Sequence, residues 1–454
     1  MKTYQDLLTN ETSIIDFIYS VITDHKNSDD YKNACIAKEY ADQKNTTILQ
    51  YQKLLYEVSG QAVPDNYSAN HKLCSNFFDF FITQENQYLL GNGISWKNES
   101  TKNALGKDFD TQLQEAGYNA LIDKVAFGFW NLNKLNVFSL REFAPLWDEE
   151  DGGLKAGVRF WQINDTKPLR ATLYELDGYT DFIWRVGKAG EILHEKRTYT
   201  QIVQTSEIDG EEIIDGENYP SFPIVPLWAN QKHQSELTGR REQIDAYDLI
   251  KSGFANDVDD ASLIYWTIQN AGGMDDIDLT KFVHHMKTVK AAVVEQTGAT
   301  AESHTMDVPF GSREAILTRI RADLYSDFMA LDTRDIANGA TTATQIRASY
   351  EPLNTKTDLY EYQVRKFLTE ILALAGIEDE PSFSRSTIVN AQEEITSLIQ
   401  GAQYLSADYV TKKLLTILGD VDIADTVIQQ MDLENMQRLQ LTPNENEEVT
   451  ENGT

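Results

Sequence analysis

Residues 330–374 read ALDTRDIANGATTATQIRASYEPLNTKTDLYEYQVRKFLTEILAL, a polar segment rich in Gly, Ala and Thr that leads into a long helical repeat. The repeat has spacings of four and three residues, which is typical of one helix face, with Thr357 at its single non-apolar position. Its other members are Ile346, Tyr350, Leu353, Tyr360, Val364, Phe367 and Ile371. Pro352 lies inside the repeat and has no backbone N–H, so we expect a helix kink near Glu351. A mobile loop followed by a kinked helix predicts that this region of the protein moves.

The length and composition indicate a globular protein with several substructures. A chain of 454 residues favours two to four of them, and 41% hydrophobic and 10% aromatic residues argue against global disorder. No apolar run approaches the roughly 18 to 20 residues of a membrane span, so we expect a soluble, cytosolic protein with no membrane partner. Cys35 and Cys74 are too few for a disulfide framework and lack metal-ligand spacing, and both are predicted to be buried thiols.

The charge of the chain limits how it can meet nucleic acid. Its 71 acidic and 40 basic side chains give a formal net charge of −31. This disfavours a DNA-binding surface built on phosphate neutralisation. It is compatible with DNA that passes along a like-charged wall, because such a wall does not retain the polyanion. The plainer alternative is that the acidity only keeps the protein soluble.

The periodicity of the sequence changes several times before residue 240. Residues 1–60 and 70–90 have helical spacing, and another helix is predicted from Asp108 to about Val125. The glycine-containing aromatic run 126–130 predicts a strand edge or a bulge. From Trp130 to Leu227, short runs separated by Gly and Asp turns predict a β-rich part. The last of this part, Pro220–Pro226, contains three prolines and is predicted to be an extended connector.

Helical spacing returns after Arg240. An apolar stripe runs to Tyr265 with aspartates mostly off it, and a later helix is predicted from Ser312, as N-cap, to about Ala330. Short strands are predicted at 289–294 and 304–308. Further helices are predicted at 386–405, 407–418 and 421–439. Residues 443–454 contain four glutamates and one apolar residue, Val449, and are predicted to be disordered.

Motifs for nucleotide hydrolysis, acyl transfer and metal binding are absent from the sequence. It has no Walker loop, Gly-x-Ser-x-Gly, His-Glu-x-x-His, Cys-x-x-Cys or Rossmann glycine pattern. His284 and His285 are adjacent, and neighbours on a helix point about 100° apart, so they do not readily share one ion. We therefore expect no metal, no cofactor and no catalytic activity.

Two acidic clusters nevertheless keep a second function open. They are Asp257, Asp259 and Asp260, and Asp275, Asp276 and Asp278. Carboxylates of this kind hold Mg²⁺ in hydrolases that cleave phosphodiesters. Clustered aspartates lie more commonly on solvated faces. The alternative to the function developed below is thus a soluble metal-dependent phosphodiesterase.

Eight short segments occur in a familiar order. They are NHKLCSN (70–76), QYLLGN (87–92), FAPLW (143–147), VRFW (158–161), LYE (173–175), FPIVP (222–226), QIDAYDLI (243–250) and ANDVDD (255–260). Together they resemble the portal proteins of tailed bacteriophages, specifically the long-tailed type of Gram-positive hosts. The resemblance covers residues 70–376. It is weakest in the polar loop, where the family often has Ser-Gly and this chain has NGATT at 338–342.

The resemblance implies an α+β portal fold with a helical stem, a small αβ clip, a β-rich wing and an α-helical crown. It assigns residues 1–239 to the wing, 240–265 to a stem helix, 266–308 to the clip, 309–330 to the returning stem helix, 331–343 to the tunnel loop, 344–376 to the kinked wing helix, 377–442 to the crown and 443–454 to a disordered acidic tail.

The implied function is a ring, usually of twelve subunits, at one capsid vertex. It would be the conduit for DNA packaging and ejection and the docking platform for terminase and head-tail connector proteins. The implied partners are further copies of the chain, double-stranded DNA, terminase, a head-completion or adaptor protein, and the major capsid and scaffolding proteins. The implied location is the virion, and the host cytoplasm during assembly. A soluble head-tail adaptor or scaffold is disfavoured because such proteins are usually much shorter.

The resemblance also implies which residues meet the partners. The channel residues are Asp332, Thr333, Arg334, Asp335, Asn338, Gly339, Thr341 and Thr342. Arg334 is the only cation among them, and it either meets phosphates or pairs with a neighbouring aspartate. The partner-binding residues of the clip are Asp275, Asp276, Lys281, His284 and Lys287.

Overall fold

Helices at the start of the chain give way to antiparallel strands and then to helices again. The computed structural model describes residues 2–56, 61–65, 68–205, 212–261, 265–269, 300–304, 310–334, 343–385, 391–418 and 423–441. The mixed α and β class predicted from the sequence is confirmed. Two units are distinguished: the first comprises Met1–Ala330 and Leu353–Ser386, and the second Leu331–Pro352 and Thr387–Thr454.

The elements have the following bounds. The described helices are α1 (Tyr4–Leu8), α2 (Ile14–Asn27), α3 (Asp29–Ala41), α4 (Thr46–Gln50), α5 (Phe77–Leu90), α6 (Glu99–Leu105), α7 (Phe109–Asp123), α8 (Arg241–Ala261), α9 (Phe310–Asp327), α10 (Ala343–Ala375), α11 (Ala391–Gly401), α12 (Ala407–Leu418) and α13 (Ala424–Leu441). The described strands are β1 (Leu54–Tyr56), β2 (Ala62–Pro64), β3 (Ile94–Trp96), β4 (Val125–Asn131), β5 (Lys134–Ser139), β6 (Phe143–Trp147), β7 (Leu154–Trp161), β8 (Leu169–Glu175), β9 (Gly178–Trp184), β10 (Gly190–Arg197), β11 (Thr200–Thr205), β12 (Glu212–Glu217), β13 (Ile224–Trp228), β14 (Tyr265–Gln269), β15 (Thr300–His304) and β16 (Pro381–Phe383).

The largest sheet is an antiparallel meander with the strand order β10-β9-β8-β7-β6. Consecutive strands pair because short turns join them; Gly178, with a φ of +140°, follows the turn between β8 and β9. Alternate residues of β8, Ala171 and Leu173, share a core cluster with Phe17 and Ile18 of α2. The predicted β-rich part is therefore present, and a helix covers one face of it.

A three-stranded sheet, β13-β4-β5, lies at the centre of the first unit. The run 126–130 does form a strand, but the predicted strand edge or bulge is wrong, because β4 is the middle strand and is buried along most of its length. Gly128 is needed there for packing: a Cβ would lie 2.4 Å from Cζ of Phe367 on α10. The predicted connector is also partly a strand, since residues 224–226 pair with β4. Pro226 is tolerated because β13 is an edge strand.

Helix α10 presents to the core the face that its spacing predicts. Tyr360, Val364, Phe367 and Ile371 are each at most 1% exposed, and Thr357 is fully buried beside them. The helix runs without interruption from Ala343 to Ala375, with Pro352 inside it. The kink near Pro352 stays a prediction.

Helices α8 and α9 form an antiparallel pair. The Gln243 amide donates to the Asp327 carboxylate (2.5 Å), and further along the pair Arg313 forms an ion pair with Asp257. These two contacts are separated by the same number of residues on both helices, about 21 Å at 1.5 Å per residue. Strand β14 follows α8 in the sequence and strand β15 precedes α9, and the two strands form an antiparallel pair.

The boundaries of this helical pair differ from the sequence-based prediction. Tyr265, the predicted end of the stem helix, begins strand β14, while α8 is described to Ala261. Helix α9 begins at Phe310, so the predicted N-cap Ser312 lies in its first turn. The predicted strand at 289–294 lies outside the described residues. That at 304–308 is described only at His304, the last residue of β15.

Two N-terminal segments predicted to be helical are extended. Leu54–Tyr56 pairs with Ala62–Pro64 as a two-stranded sheet, because a short apolar run fits a strand as well as a helix. Residues 70–76 contain no helix, and α5 begins only at Phe77. The two cysteines are free, but both are half-buried rather than buried.

The second unit contains helices α11, α12 and α13, as the sequence predicts. The Thr411 hydroxyl of α12 contacts the Met431 sulfur of α13 at 3.7 Å. The predicted start of this helical part at residue 377 is too early: residues 377–385 belong to the first unit, where β16 pairs with β3. The predicted acidic tail, 443–454, lies outside the described residues. In the part that the structure describes, no helix is both long enough and apolar enough to cross a bilayer.

Candidate functional site

Three of the predicted channel residues are described. Asp332, Thr333 and Arg334 precede α10, where the Asp332 carboxylate accepts the backbone N–H of Arg334 at 3.1 Å. This contact is a short local turn, and both Thr333 and Arg334 are exposed. The remaining channel residues, Asp335, Asn338, Gly339, Thr341 and Thr342, lie outside the described residues. So do all the predicted clip residues, Asp275, Asp276, Lys281, His284 and Lys287.

Two of the three aspartates in the first acidic cluster have side-chain partners in the described part of the chain. Asp257 forms an ion pair with Arg313, and Asp259 contacts the His71 ring at 2.5 Å. A search of the described ranges finds no group of three or more His, Cys, Asp and Glu side chains placed to hold a metal ion. The second acidic cluster, from Asp275 to Asp278, lies outside them. Asp257 and Asp259 thus contact neighbouring side chains, as structural carboxylates do.

The structure brings together four charged side chains that the sequence analysis missed. Lys356 of α10 lies 2.5 Å from Glu85 of α5 and 2.9 Å from Glu236, which precedes α8. Arg240 contacts the same Glu236 carboxylate at 3.0 Å. The Arg240 Nε also donates to the backbone carbonyl of Asp327, at the end of α9. We call Glu85, Glu236, Arg240 and Lys356 the ionic cluster.

Burial sets the electrostatics of this ionic cluster. Burial raises the pKa of Glu85 to about 7, against the attraction of Lys356. At Glu236 burial acts in the same direction, but Lys356 and Arg240 outweigh it and lower the pKa. Burial disfavours the charged Lys356, and its two carboxylate partners reverse this and raise its pKa. With all four side chains ionised, the cluster holds two charges of each sign, which compensate one another.

A sequence signal for the ionic cluster does exist. Lys356 follows Leu353 by three residues and precedes Tyr360 by four, so it lies on the apolar face of α10. Glu85 similarly lies between Phe81 and Leu89 on the apolar face of α5. A charged residue within an apolar stripe is rarely left buried alone. One acidic and one basic residue placed in this way on two helices predict a buried ion pair.

A second set of polar contacts fastens residues 70–76 to α8. The backbone N–H of His71 donates to Asn256 (2.6 Å), that of Leu73 to Ser252 (2.9 Å) and that of Ser75 to Asp248 (2.9 Å). The Asn45 amide donates to the other oxygen of Asp248. We call residues 70–76 the strap.

The strap and the helix match because their repeats are similar. Two residues of extended chain span about 6.6 to 6.8 Å and four residues of helix span about 6.0 Å, so alternate strap amides meet every fourth helix position. Asp248 is fully buried, and Ser252 and Asn256 are 2% and 7% exposed. Burial raises the pKa of Asp248. Asp248, an aspartate that lies off the apolar stripe of α8, is therefore buried beneath the strap.

The apolar stripe of α8 is covered only in part. Tyr247 packs edge-on against Phe77, and Phe254 against Phe310 of α9, yet Val258 is 45% exposed. On α9, Phe310 is 52% and Ile316 48% exposed. The helical pair consequently carries exposed apolar side chains at the end where α8 finishes and α9 begins.

Comparison with known proteins identifies the family. The sequence matches the family described as "Phage portal protein, SPP1 Gp6-like" over residues 22–440. The portal protein of Clostridium phage phiCD119 is 24% identical over 362 residues, which cover 72% of this chain and 77% of that protein. The portal protein of Bacillus phage SPP1 is 23% identical over 389 residues, which cover 76% and 73%.

Among solved structures, the fold is similar to chains of gene transfer agent (GTA) particles. A chain in the neck of an empty GTA particle with C6 symmetry is 12% identical with a TM-score of 0.43, and the match covers 76% of this chain and 90% of that one. A chain in the neck of a native GTA particle with C12 symmetry is 12% identical with a TM-score of 0.42, covering 74% and 89%. Because the family match spans most of its length, the chain belongs to the SPP1 Gp6-like family of phage portal proteins, structural proteins that form the ring at the capsid vertex.

Proposed function

We propose that twelve copies of this chain close into the portal ring and that double-stranded DNA enters and leaves the capsid through it. The observation that supports ring closure is the group of exposed apolar side chains on the helical pair, which includes Val258, Phe310 and Ile316. Exposed apolar side chains grouped at one end of a helical pair are unfavourable in water and are typical of protein interfaces. A neighbouring copy in the ring would cover them.

The charge of the ring suits a conduit. Twelve copies with a net charge of −31 each carry −372 in total. Phosphates gain no counterion-release free energy from an acidic wall, so DNA would slide along it without being retained. Screening restricts the repulsion to a Debye length of about 8 to 10 Å at physiological salt, so subunits can still associate through apolar contacts.

The tunnel loop, residues 331–343, is the proposed point of contact with DNA. Arg334 would supply one cation per subunit, with Asp332, Thr333, Asp335, Asn338, Gly339, Thr341 and Thr342 around it. One phosphate contact per subunit would be weak and independent of base sequence. In this proposal, a kink of the helix at Pro352 moves the tunnel loop.

The remaining segments would serve partner proteins. In this proposal the clip, residues 266–308, contacts terminase during packaging and a head-completion or adaptor protein afterwards, through Asp275, Asp276, Lys281, His284 and Lys287. The wing and crown would contact the major capsid and scaffolding proteins. The chain would act without catalysis, metal or cofactor, in the host cytoplasm during assembly and in the virion thereafter.

Ring assembly can be tested by substitution of an exposed apolar residue on the α8–α9 pair. We expect native mass spectrometry and electron microscopy to show rings of twelve for the unaltered chain. Ile316→Glu should prevent ring formation, since it places a charge in the proposed interface. Ile163→Glu is the matched control, because Ile163 is 83% exposed and lies away from the helical pair. Lone protomers with Mg²⁺-dependent hydrolysis of DNA would overturn the proposal in favour of a phosphodiesterase.

The tunnel loop needs a separate test. We expect deletion of residues 333–341 to leave rings intact, because the segment has few apolar side chains beyond Ile336, and to impair DNA packaging. Loss of rings in this deletion variant would contradict the placement of the loop in the channel.

A further inference from the structure

The ionic cluster joins three parts of the first unit that are far apart in sequence. Lys356 is on α10, Glu85 is on α5, and Glu236 lies just before α8. Arg240 extends the contacts to the end of α9, where it donates to the Asp327 carbonyl and lies 4.8 Å over the Phe328 ring. These contacts connect Lys356 of α10 to the end of the α8–α9 pair at which α8 begins and α9 ends. We call this end the base of the pair.

This arrangement is poorly explained as a source of stability. The Lys356 and Glu85 side chains are 10% and 3% exposed, so both ions have lost most of their hydration. A buried ion pair of this kind is often no more stable than apolar side chains of similar volume. What the two carboxylates do provide is a location, because the Lys356 ammonium contacts both only when it lies between them. The contacts are therefore suited to fixing a position.

Open space borders the ionic cluster on one side. A cavity of about 530 Å³ is lined by Glu85, Glu236, Asp327, Met329, Leu359 and Tyr360 among others. Close-packed interiors resist displacement, whereas a helix beside a cavity has room to shift. On this side the ion pairs of Lys356 supply contacts that hold α10 in place.

Because α10 is a continuous helix, the position that the ion pairs impose on Lys356 also affects the N-terminal part of α10. Lys356 lies one turn after Pro352 in a helix that runs unbroken from Ala343. We propose that Lys356 is a positioning residue: by pairing with Glu85 and Glu236 it ties the loop-bearing helix α10 to the base of the α8–α9 pair, so that movement at either is transmitted to the other. This inference rests on the proposed function, in which the loop before α10 contacts DNA and the α8–α9 pair leads to the docking platform.

The test compares substitutions that keep or remove the pairing in the full-length chain. Lys356→Met preserves length and removes the charge, and Glu85→Gln is combined with it so that no carboxylate is left without its cation. Lys366→Met is the matched control, since Lys366 is an exposed lysine on the same helix. Lys356→Glu, Glu85→Lys and Glu236→Gln are combined in a charge-exchanged variant, which re-forms the pair between positions 356 and 85 in reverse and removes the carboxylate that would repel the new one.

Three measurements are made on each variant: ring formation, hydrogen exchange of the α10 amides, and DNA packaging in cells that lack their own portal protein. We expect the neutral double variant to form rings, to exchange α10 amides at least about tenfold faster and to package at least tenfold less DNA. The charge-exchanged variant should recover most of both losses, a rescue that general destabilisation does not explain.

Rings with normal exchange and normal packaging in the neutral variant would overturn the role of Lys356, as would a charge-exchanged variant that folds but recovers neither. If the neutral variant fails to fold, the charge-exchanged variant decides alone. An unaltered chain that forms no ring would instead refute the proposed function.

Discussion

Removal of the Asp248 carboxylate should detach the strap from α8. Asp248 is fully buried and accepts two hydrogen bonds, from the Ser75 backbone N–H and from the Asn45 amide. In Asp248→Ala the Ser75 N–H has no acceptor, and the Asn45 amide keeps only its contact with the Ser75 carbonyl at 3.1 Å. Asp259→Ala is the matched control, because Asp259 and its partner His71 are 57% and 50% exposed.

The expected magnitudes follow from burial. A buried donor left without a partner costs about 1 to 3 kcal/mol, so we expect Asp248→Ala to lower the free energy of unfolding by about 2 to 4 kcal/mol. We expect a loss in the lower part of that range, because the substitution also removes a carboxylate whose charged form is disfavoured by burial. The exposed Asp259 pair should contribute only about 0 to 1 kcal/mol.

Urea unfolding of the unassembled chain, followed by tryptophan fluorescence, measures both free energies. Hydrogen exchange at the Leu73 and Ser75 amides reports the strap itself, and we expect faster exchange at both in Asp248→Ala only. Equal unfolding free energies for Asp248→Ala and Asp259→Ala, or unchanged exchange at the strap amides, would refute the conclusion that these hydrogen bonds hold the strap.

Three further predictions concern the core, the pH dependence and the kink. Gly128→Ala should destabilise the chain by about 1 to 3 kcal/mol, because the new Cβ overlaps the Phe367 ring, and thermal unfolding should show a lower midpoint. Burial raises the pKa of Glu85 and of Asp123 to about 7, so the folded state retains protons that the unfolded state has lost. Stability should fall as pH rises from about 5 to 8, by on the order of 3 kcal/mol for each group, and Asp123→Asn should flatten the profile. Pro352→Ala should stabilise α10 by up to about 3 kcal/mol and impair packaging; normal packaging by rings of this variant would make the kink incidental.

The elements that the sequence predicts correctly are those whose own periodicity decides their structure. The face of α10 from Thr357 to Ile371 repeats every three or four residues over several turns, and no strand could use that spacing. The strands of the large sheet are bounded by Gly and Asp turns. Short runs fail for the opposite reason: Leu54–Tyr56 has three residues, which fit a helix and a strand equally well, and its pairing with Ala62–Pro64 decides the outcome.

The candidate site was harder to predict because its contacts join distant parts of the chain. Glu85, Glu236 and Lys356 are separated by more than a hundred residues at each step, and although Glu85 and Lys356 each lie on an apolar helix face, nothing local indicates which charges meet. The strap poses the same difficulty, since residues 70–76 are extended only because α8 supplies acceptors for their amides. The resemblance to portal proteins supplied the order of the segments but not these pairings.

Helix α8 shows why an apolar stripe need not be the side that a single chain buries. Its most buried described positions recur every four residues, at Ile244, Asp248, Ser252 and Asn256, and three of these four side chains are polar. They are buried because the strap saturates their hydrogen bonds, which removes the usual penalty for burying polar groups. The apolar stripe, in contrast, is left partly exposed at Val258, which is 45% exposed. A hydrophobic pattern identifies a surface that must be covered, without saying by which chain. In the proposed ring, that cover would come from a second copy, with the stripe on α8 at the subunit interface.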